Sequence, residues 1–341
     1  MKKFLRFSSW FAIATLTWGV GYFYNARYGG ELSWLRMMYE QKMAIAKEVQ
    51  APQRILIVGG SGAHYTVDAG LIQQKLGIPT LNIATDGPIG LDVILPSVAD
   101  VIKKDDIVIL IPEYLLLLDK DGWGDRSGQF GVAIGKPGLG NVPSKQLAQD
   151  LMLLGIPSLR AATKSSLDLL EKGHLTGYYS DPITAKGDPT VMKKRTKSEW
   201  WELKINDSVS PHSLKRIQQF KQEVEAKGAT LILGLSWIYG STDTKTLNNI
   251  RKTAEDLGKI APVLYDKQTL NVKKDSSLFA DTHYHLNPDG RRTRTSDLVE
   301  QLKAVNIVRN YSTSRYYELQ EPQPPPPTVG NPPTALVHRK R

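Results

Sequence analysis

The chain contains no cysteine, and this absence excludes both a disulfide framework and a zinc site built on thiolates. No internal repeat is visible either. The chain has 341 residues, of which 41% are hydrophobic, so it can form one sizeable core with appendages or, at most, two domains.

The N-terminus carries an uncharged stretch, residues 7–26, directly after Lys2, Lys3 and Arg6. As a helix this stretch would extend about 30 Å, the thickness of a bilayer hydrocarbon core. Basic residues on the short side predict that this end stays in the cytoplasm and that the remainder is exported. A cleaved signal peptide is the alternative, but the only Ala-x-Ala motif within this stretch, residues 12–14, comes too early for cleavage. We therefore expect a single-pass anchor with a periplasmic or cell-surface domain.

The formal net charge is +10, with basic runs at 193–195, 291–292 and 339–341. Nucleic acid is not an expected partner outside the cytoplasm. Two interpretations stay open: attraction to anionic envelope polymers or lipid headgroups, and a dispersed, solvated surface charge with a basic tail.

Short apolar runs alternate with helical patterns through most of the chain, which predicts a parallel sheet covered on both faces. We expect a three-layer α/β/α sandwich with about five strands. The strands are expected at 54–58, 79–84, 106–112, 230–235 and 262–265, and the helices at 64–75, 89–103, 212–227, 242–258 and 288–303.

The predicted organisation has four parts. Residues 113–208 interrupt the alternation without starting a new one, so we interpret them as an insertion or cap within the α/β domain. The parts are a cytoplasmic tip and anchor at 1–27, a stalk helix at 28–53, the α/β domain at 54–309, and a proline-rich disordered tail at 310–341.

A glycine-rich turn, Gly59-Gly-Ser-Gly62, follows the first predicted strand. Such a turn would leave the Ser61 hydroxyl at the carboxyl edge of the sheet, where open α/β folds bind ligands. The alternatives are a plain glycine turn and a dinucleotide-binding loop. The dinucleotide motif is a poor match, because Tyr65 stands where its third glycine belongs and Asn82 where its acid belongs.

An aspartate and two histidines lie together before the last predicted helix, as Asp281-Thr-His-Tyr-His285. A carboxylate near a histidine can hold the imidazole so that it removes the proton of a serine nucleophile. The residues therefore indicate Ser61 as nucleophile, His285 as base and Asp281 as its partner. A metal site of Asp281, His283 and His285 is the alternative, since these side chains would share one side of an extended segment.

These motifs resemble the SGNH (GDSL-type) hydrolases, in particular a membrane-anchored, extracytoplasmic branch that includes proteins of envelope polysaccharide O-acetylation and teichoic-acid D-alanylation. Val58-Gly-Gly-Ser-Gly62 is similar to the family's first block, and Asp281-Thr-His-Tyr-His-Leu-Asn287 to its last. The resemblance implies that backbone N–H groups of Ser61 or Gly62 and of Gly87 hold the oxyanion. It covers roughly residues 54–112 and 229–305.

Two features depart from the family pattern. The spacing from Asp281 to His285 is one residue longer than usual, and that from Asp281 to His283 is one shorter. The third block, Gly-x-Asn-Asp, is missing, and residues 111–114 (Ile-Pro-Glu-Tyr) stand in its place. The oxyanion site is therefore expected to be incomplete or built differently.

The expected function is an extracytoplasmic serine ester hydrolase or O-acyltransferase acting on an acylated envelope glycan or polymer, without a cofactor or metal. A membrane protein partner fits the resemblance. Trp123, Trp200 and Trp201 could stack on sugar rings or pack inside the insertion. The alternative function is a non-catalytic envelope binding or assembly protein that retains the fold.

Overall fold

A computed structural model describes residues 2–27, 30–156, 159–173, 182–191 and 202–305. Three expectations lie outside the described residues: the basic runs at 193–195 and 339–341, the roles of Trp200 and Trp201, and the proline-rich tail at 310–341.

The main sheet has five parallel strands in the spatial order β2-β1-β3-β4-β6. All five predicted strands are confirmed. A separate two-stranded parallel sheet pairs β5 with β7 and was not predicted. The strands are β1 (Ile55–Gly59), β2 (Thr80–Asn82), β3 (Ile107–Ile111), β4 (Thr230–Gly234), β5 (Ile238–Tyr239), β6 (Val263–Leu264) and β7 (Val272–Lys273).

Twelve α-helices form in the described part of the chain. They are α1 (Lys2–Arg27), α2 (Gly30–Glu48), α3 (Ser61–Thr66), α4 (Ala69–Leu76), α5 (Leu91–Val98), α6 (Tyr114–Leu117), α7 (Ser127–Ala133), α8 (Ser144–Leu154), α9 (Leu159–Lys172), α10 (Pro211–Ala226), α11 (Thr244–Gly258) and α12 (Pro288–Ala304). Short 3-10 helices occur at Gly87–Ile89, Ala99–Val101, Leu139–Asn141 and Ser276–Leu278.

The main sheet is buried on both faces, because alternate side chains of a strand point to opposite sides. In β1, Leu56 and Val58 join one apolar core, and Ile55 and Ile57 join the other. The first core is covered by α2, α5, α10 and α11, and the second by α3, α4 and α12. This arrangement agrees with the predicted α/β sandwich.

The direction in which successive strands are added to the sheet reverses between β1 and β3. The chain passes from β1 outward to β2 and then returns to the other side of β1 as β3. Gly59 at the end of β1 is in register with Ile111 at the end of β3. Residues that follow these two strands therefore meet at one edge of the sheet, at the position where open α/β sheets bind ligands.

The N-terminal segment forms the helix α1, but the predicted transmembrane anchor is not supported. No helix in the described ranges combines the length and apolar character needed to cross a bilayer. Serine, threonine and glycine residues interrupt the apolar run of α1.

The helix α2 corrects the expectation of a stalk. Leu35, Met38, Tyr39 and Met43 on one side of α2 are buried in the first core. Helix α2 is therefore a packed layer of the α/β domain.

One predicted helix, at 64–75, is two helices. Helix α3 ends at Thr66, Val67 is extended, and the Asp68 carboxylate accepts a hydrogen bond from Leu71 N–H to begin α4. The extended conformation of Val67 interrupts the helix. A new helix begins after Asp68, because aspartate is a strongly preferred N-cap residue.

The segment that was predicted to be an insertion packs on the first core near its beginning. Phe130 of α7 and Val142 are buried in the first core. Trp123 is half-buried there, and its Nε1–H donates to Gly140 O at 2.9 Å, so it packs within this segment.

Candidate functional site

Ser61 begins α3, immediately after the turn that ends β1. Gly59 has φ +155°, and a methyl group there would lie 2.4 Å from Ile111 O on the neighbouring strand. Only glycine allows the two backbones to approach this closely. The turn places the half-buried Ser61 at the carboxyl edge of the sheet, as predicted.

Asp281 and His285 are joined directly. His285 Nδ1 lies 2.7 Å from Asp281 Oδ1. A tight loop brings them together: Thr282 Oγ1 accepts from His285 N–H, and Ala280 N–H donates to His285 O. This loop accounts for the four-residue spacing. With Nδ1–H donated to the carboxylate, Nε2 of His285 carries the free lone pair.

His285 also lies beside the helix that Ser61 begins. The ring centroids of His285 and Tyr65 are 4.7 Å apart, and Tyr65 is one helical turn after Ser61. No hydrogen bond connects Ser61 Oγ to His285 in this structure. The structure thus brings the predicted base and nucleophile to one region without joining them.

His283 has a different setting from His285. Its backbone carbonyl accepts a hydrogen bond from Tyr239 N–H of β5 at 3.0 Å. Burial lowers the pKa of its imidazole. The proposed metal set of Asp281, His283 and His285 does not assemble, since among the described residues no group of three such side chains could hold a metal ion.

Glu113 is the site residue that sequence reasoning missed. It follows β3 where the family's third block would stand, and its carboxyl group is fully buried. Oε1 accepts from Gly62 N–H at 2.5 Å, and Oε2 accepts from Gly60 N–H at 3.2 Å. Burial raises the pKa of Glu113, while the bond from Gly62 acts in the opposite direction. A charged residue directly after a buried strand, at the edge that carries Ser61, is a signal that could have revealed it.

The predicted oxyanion donors lie around Gly60, next to the carboxyl group of Glu113. A methyl group on Gly60 would lie 2.6 Å from both Glu113 Oε2 and Gly87 N. The N–H groups of Ser61 and Gly87 form no hydrogen bond with any described residue. Gly62 N–H, in contrast, is held by Glu113.

A buried polar cluster lies behind α3. The ammonium of Lys42 on α2 is 2.9 Å from His64 Nδ1 and donates to Ala84 O at 2.5 Å. Burial lowers the pKa of Lys42 to about 7. The His64 ring packs on Tyr65, with centroids 4.5 Å apart, so α2 contacts the site through two aromatic rings.

The described segment 182–191 supplies the acid of this cluster. Asp188 accepts from Arg291 Nη2 at 2.9 Å and from Ala69 N–H at 3.1 Å. Burial raises the pKa of Asp188, and Arg291 opposes that change. The segment 182–191 is thereby fixed to α4 and α12 on the side of the sheet that carries α3.

Comparison with known proteins gives a distant structural likeness. No protein-family description matches the chain, and no curated protein matches it. Among solved structures, the chain is similar to the protein YxiM of Bacillus subtilis, with 12% sequence identity and a TM-score of 0.36. The match covers 76% of this chain and 58% of that structure's chain.

Proposed function

We propose that the protein transfers an acyl group through an ester of Ser61, with His285 as the base and Asp281 as the group that holds it. The observation that carries this proposal is the 2.7 Å hydrogen bond from His285 to Asp281, in a loop packed beside the helix that Ser61 begins. Nucleophile, base and orienting acid are the three roles such chemistry needs.

The proposed reaction has two halves. Ser61 Oγ attacks an ester carbonyl carbon while its proton passes to His285 Nε2, and the carbonyl oxygen becomes an oxyanion. The intermediate collapses, and the leaving alcohol takes the proton from His285. Water or an acceptor hydroxyl then attacks the acyl-serine, gives its proton to His285, and the proton returns to Ser61.

We further propose that the protein is an SGNH-type enzyme of the cell envelope. The turn at Ser61, the Asp281–His285 pair and the N–H of Gly87 at one sheet edge support this assignment. An acylated polysaccharide or polymer outside the cytoplasm is the proposed substrate, and a membrane protein the proposed partner. Fusing a periplasm-dependent reporter to the C-terminus tests the location: activity of the reporter supports it, and a silent but intact fusion contradicts it.

The test of the serine mechanism is covalent labelling of the full chain with a fluorophosphonate, read by intact mass and peptide mapping. We expect one adduct, on Ser61, that is lost in Ser61→Ala and in His285→Ala. The matched control is His283→Ala, which removes a neighbouring imidazole and should retain the adduct. Loss of labelling in His283→Ala with retention in His285→Ala would assign the base to the other histidine.

One observation favours a second candidate, a binding protein without catalysis. The Glu113 carboxyl group already occupies Gly62 N–H, which is one of the predicted oxyanion donors. If Ser61 is unlabelled in a folded sample at every pH, the non-catalytic function is favoured.

A further inference from the structure

The serine mechanism leaves one buried acid without a role, Glu113. Its side chain is fully buried and points between Gly60 and Gly62, on either side of the proposed nucleophile. Its partners here are two backbone N–H groups at the reacting edge of the sheet.

The carboxyl group stands next to the place where the oxyanion forms. Gly87 N and Glu113 Oε2 both lie 2.6 Å from the position of a methyl group on Gly60. The N–H groups of Ser61 and Gly87 form no hydrogen bond with a described residue, so they are available to a substrate oxygen. An oxyanion held by these two donors would be a neighbour of Glu113.

An ionised Glu113 would oppose that oxyanion. Two negative charges a few ångströms apart repel strongly in a dry site, and one of them takes a proton in compensation. A neutral carboxylic acid has the opposite effect, because its O–H is a donor. Burial in an apolar site can keep a carboxylic acid neutral for this purpose.

The charges around Glu113 come from each element packed against it. Asp86 precedes the 3-10 helix at Gly87–Ile89 and is paired with Arg126 at 2.5 Å. Tyr284 and His285 approach from the loop at 279–287. Burial and Asp86 raise the pKa of Glu113, whereas Gly62 N–H and His285 lower it.

Building on the serine mechanism, we propose that Glu113 reacts as a neutral acid and is the third oxyanion donor. Oε1 keeps its bond from Gly62 N–H, and Oε2 keeps its bond from Gly60 N–H while its own O–H donates to the oxyanion beside the N–H groups of Ser61 and Gly87. Glu113 thus donates the hydrogen bond to the oxyanion that an asparagine amide would donate if the Gly-x-Asn-Asp block were present. No proton leaves Glu113 during the reaction.

The experiment is the pH profile of the Ser61 labelling rate, measured on the full chain with a fluorophosphonate whose phosphoryl oxygen enters the same site. For the wild type we expect the labelling rate to fall with rising pH as Glu113 ionises. Glu113→Gln places an amide Nε2–H donor there at every pH, so it should lose the falling limb.

A third variant measures the size of the donor's contribution. At pH values below the falling limb, Glu113→Ala should be labelled about 10²- to 10³-fold more slowly than the wild type, as expected for loss of one oxyanion donor. Glu113→Gln should stay within about tenfold of the wild type there, since the donor is kept. A purely structural role would leave the shape of the pH profile unchanged.

Two results would overturn the assignment: a falling limb that persists in Glu113→Gln, or a folded Glu113→Gln that is inert while the wild type is labelled. If the wild type itself is never labelled at Ser61, the serine mechanism fails and not the role of Glu113 alone. If Glu113→Gln does not fold, infrared titration of the wild type decides. The band of a protonated carboxyl must then disappear over the pH range of the falling limb.

Discussion

The pH dependence of stability should change when Lys42 is replaced by methionine, because this lysine is buried and its pKa is lowered to about 7. In the unfolded chain its pKa returns to the ordinary lysine value of 10.5. Between these values the unfolded state binds one proton more than the folded state, so the free energy of unfolding rises with pH. Below pH 7 both states are protonated, and the buried charge destabilises the fold fully. Lys42→Met removes this contribution.

The magnitude follows from the two pKa values. The difference between 10.5 and about 7 corresponds to about 5 kcal/mol, at 1.36 kcal/mol for each pKa unit. Because about half of Lys42 is already neutral at pH 7, the gain between pH 7 and pH 9 is about 2 kcal/mol. This window avoids most histidine titration in the unfolded chain, which is centred near pH 6.5.

Urea unfolding of the full chain, followed by tryptophan fluorescence, provides the measurement. Between pH 7 and pH 9, we expect the free energy of unfolding of the wild type to rise by about 2 kcal/mol more than that of Lys42→Met. Lys245→Met, at an exposed lysine of α11, is the matched control and should run parallel to the wild type. Parallel curves for Lys42→Met, within about 0.5 kcal/mol, would refute the reasoning.

Two further predictions concern ion pairs. Asp106→Ala should lower the free energy of unfolding by about 3–5 kcal/mol, because it leaves the fully buried Arg54 guanidinium without its carboxylate. Asp100→Ala breaks the exposed ion pair with Lys136 and should change the free energy of unfolding by about 0–1 kcal/mol in the same urea assay. Equal losses would contradict the difference in burial. Asp281→Asn should slow Ser61 labelling by about 10³- to 10⁴-fold in a folded protein, and an unchanged rate would remove Asp281 from the mechanism.

Local sequence patterns were sufficient for most elements of the sheet. The run at 106–112 is rich in β-branched residues and became β3, which is buried on both faces. The prediction of the turn at Gly59 and Gly60 was also correct, because glycine at a strand end has few other uses. These features depend on neighbours in sequence, and a pattern can therefore report them.

Elements that depend on distant partners were predicted poorly. The charged helix α2 has the composition of an exposed helix, yet Lys42 is buried because His64 and Ala84 O, far along the chain, provide its partners. The two-stranded sheet of β5 and β7 has strands of two residues each, too short to give a period.

The candidate site shows the same division. Asp281 and His285 could be paired from the sequence, because one loop of five residues contains both. The position of Glu113 after a buried strand could have placed it at this edge of the sheet. Its hydrogen bonds to Gly60 and Gly62 could not be predicted, because those residues lie 53 and 51 positions earlier in the sequence. The register of Gly59 with Ile111 brings the two segments together.

The sequence by itself determined the alternation of strands and helices, the glycine turn at Ser61 and the adjacency of Asp281 and His285. Each of these follows from steric and hydrogen-bonding preferences within a few residues. The tertiary structure alone decided that Glu113 faces the proposed oxyanion donors and that Lys42 is buried behind α3. Those placements depend on strand order and helix packing, which bring together groups tens of residues apart and remove them from water.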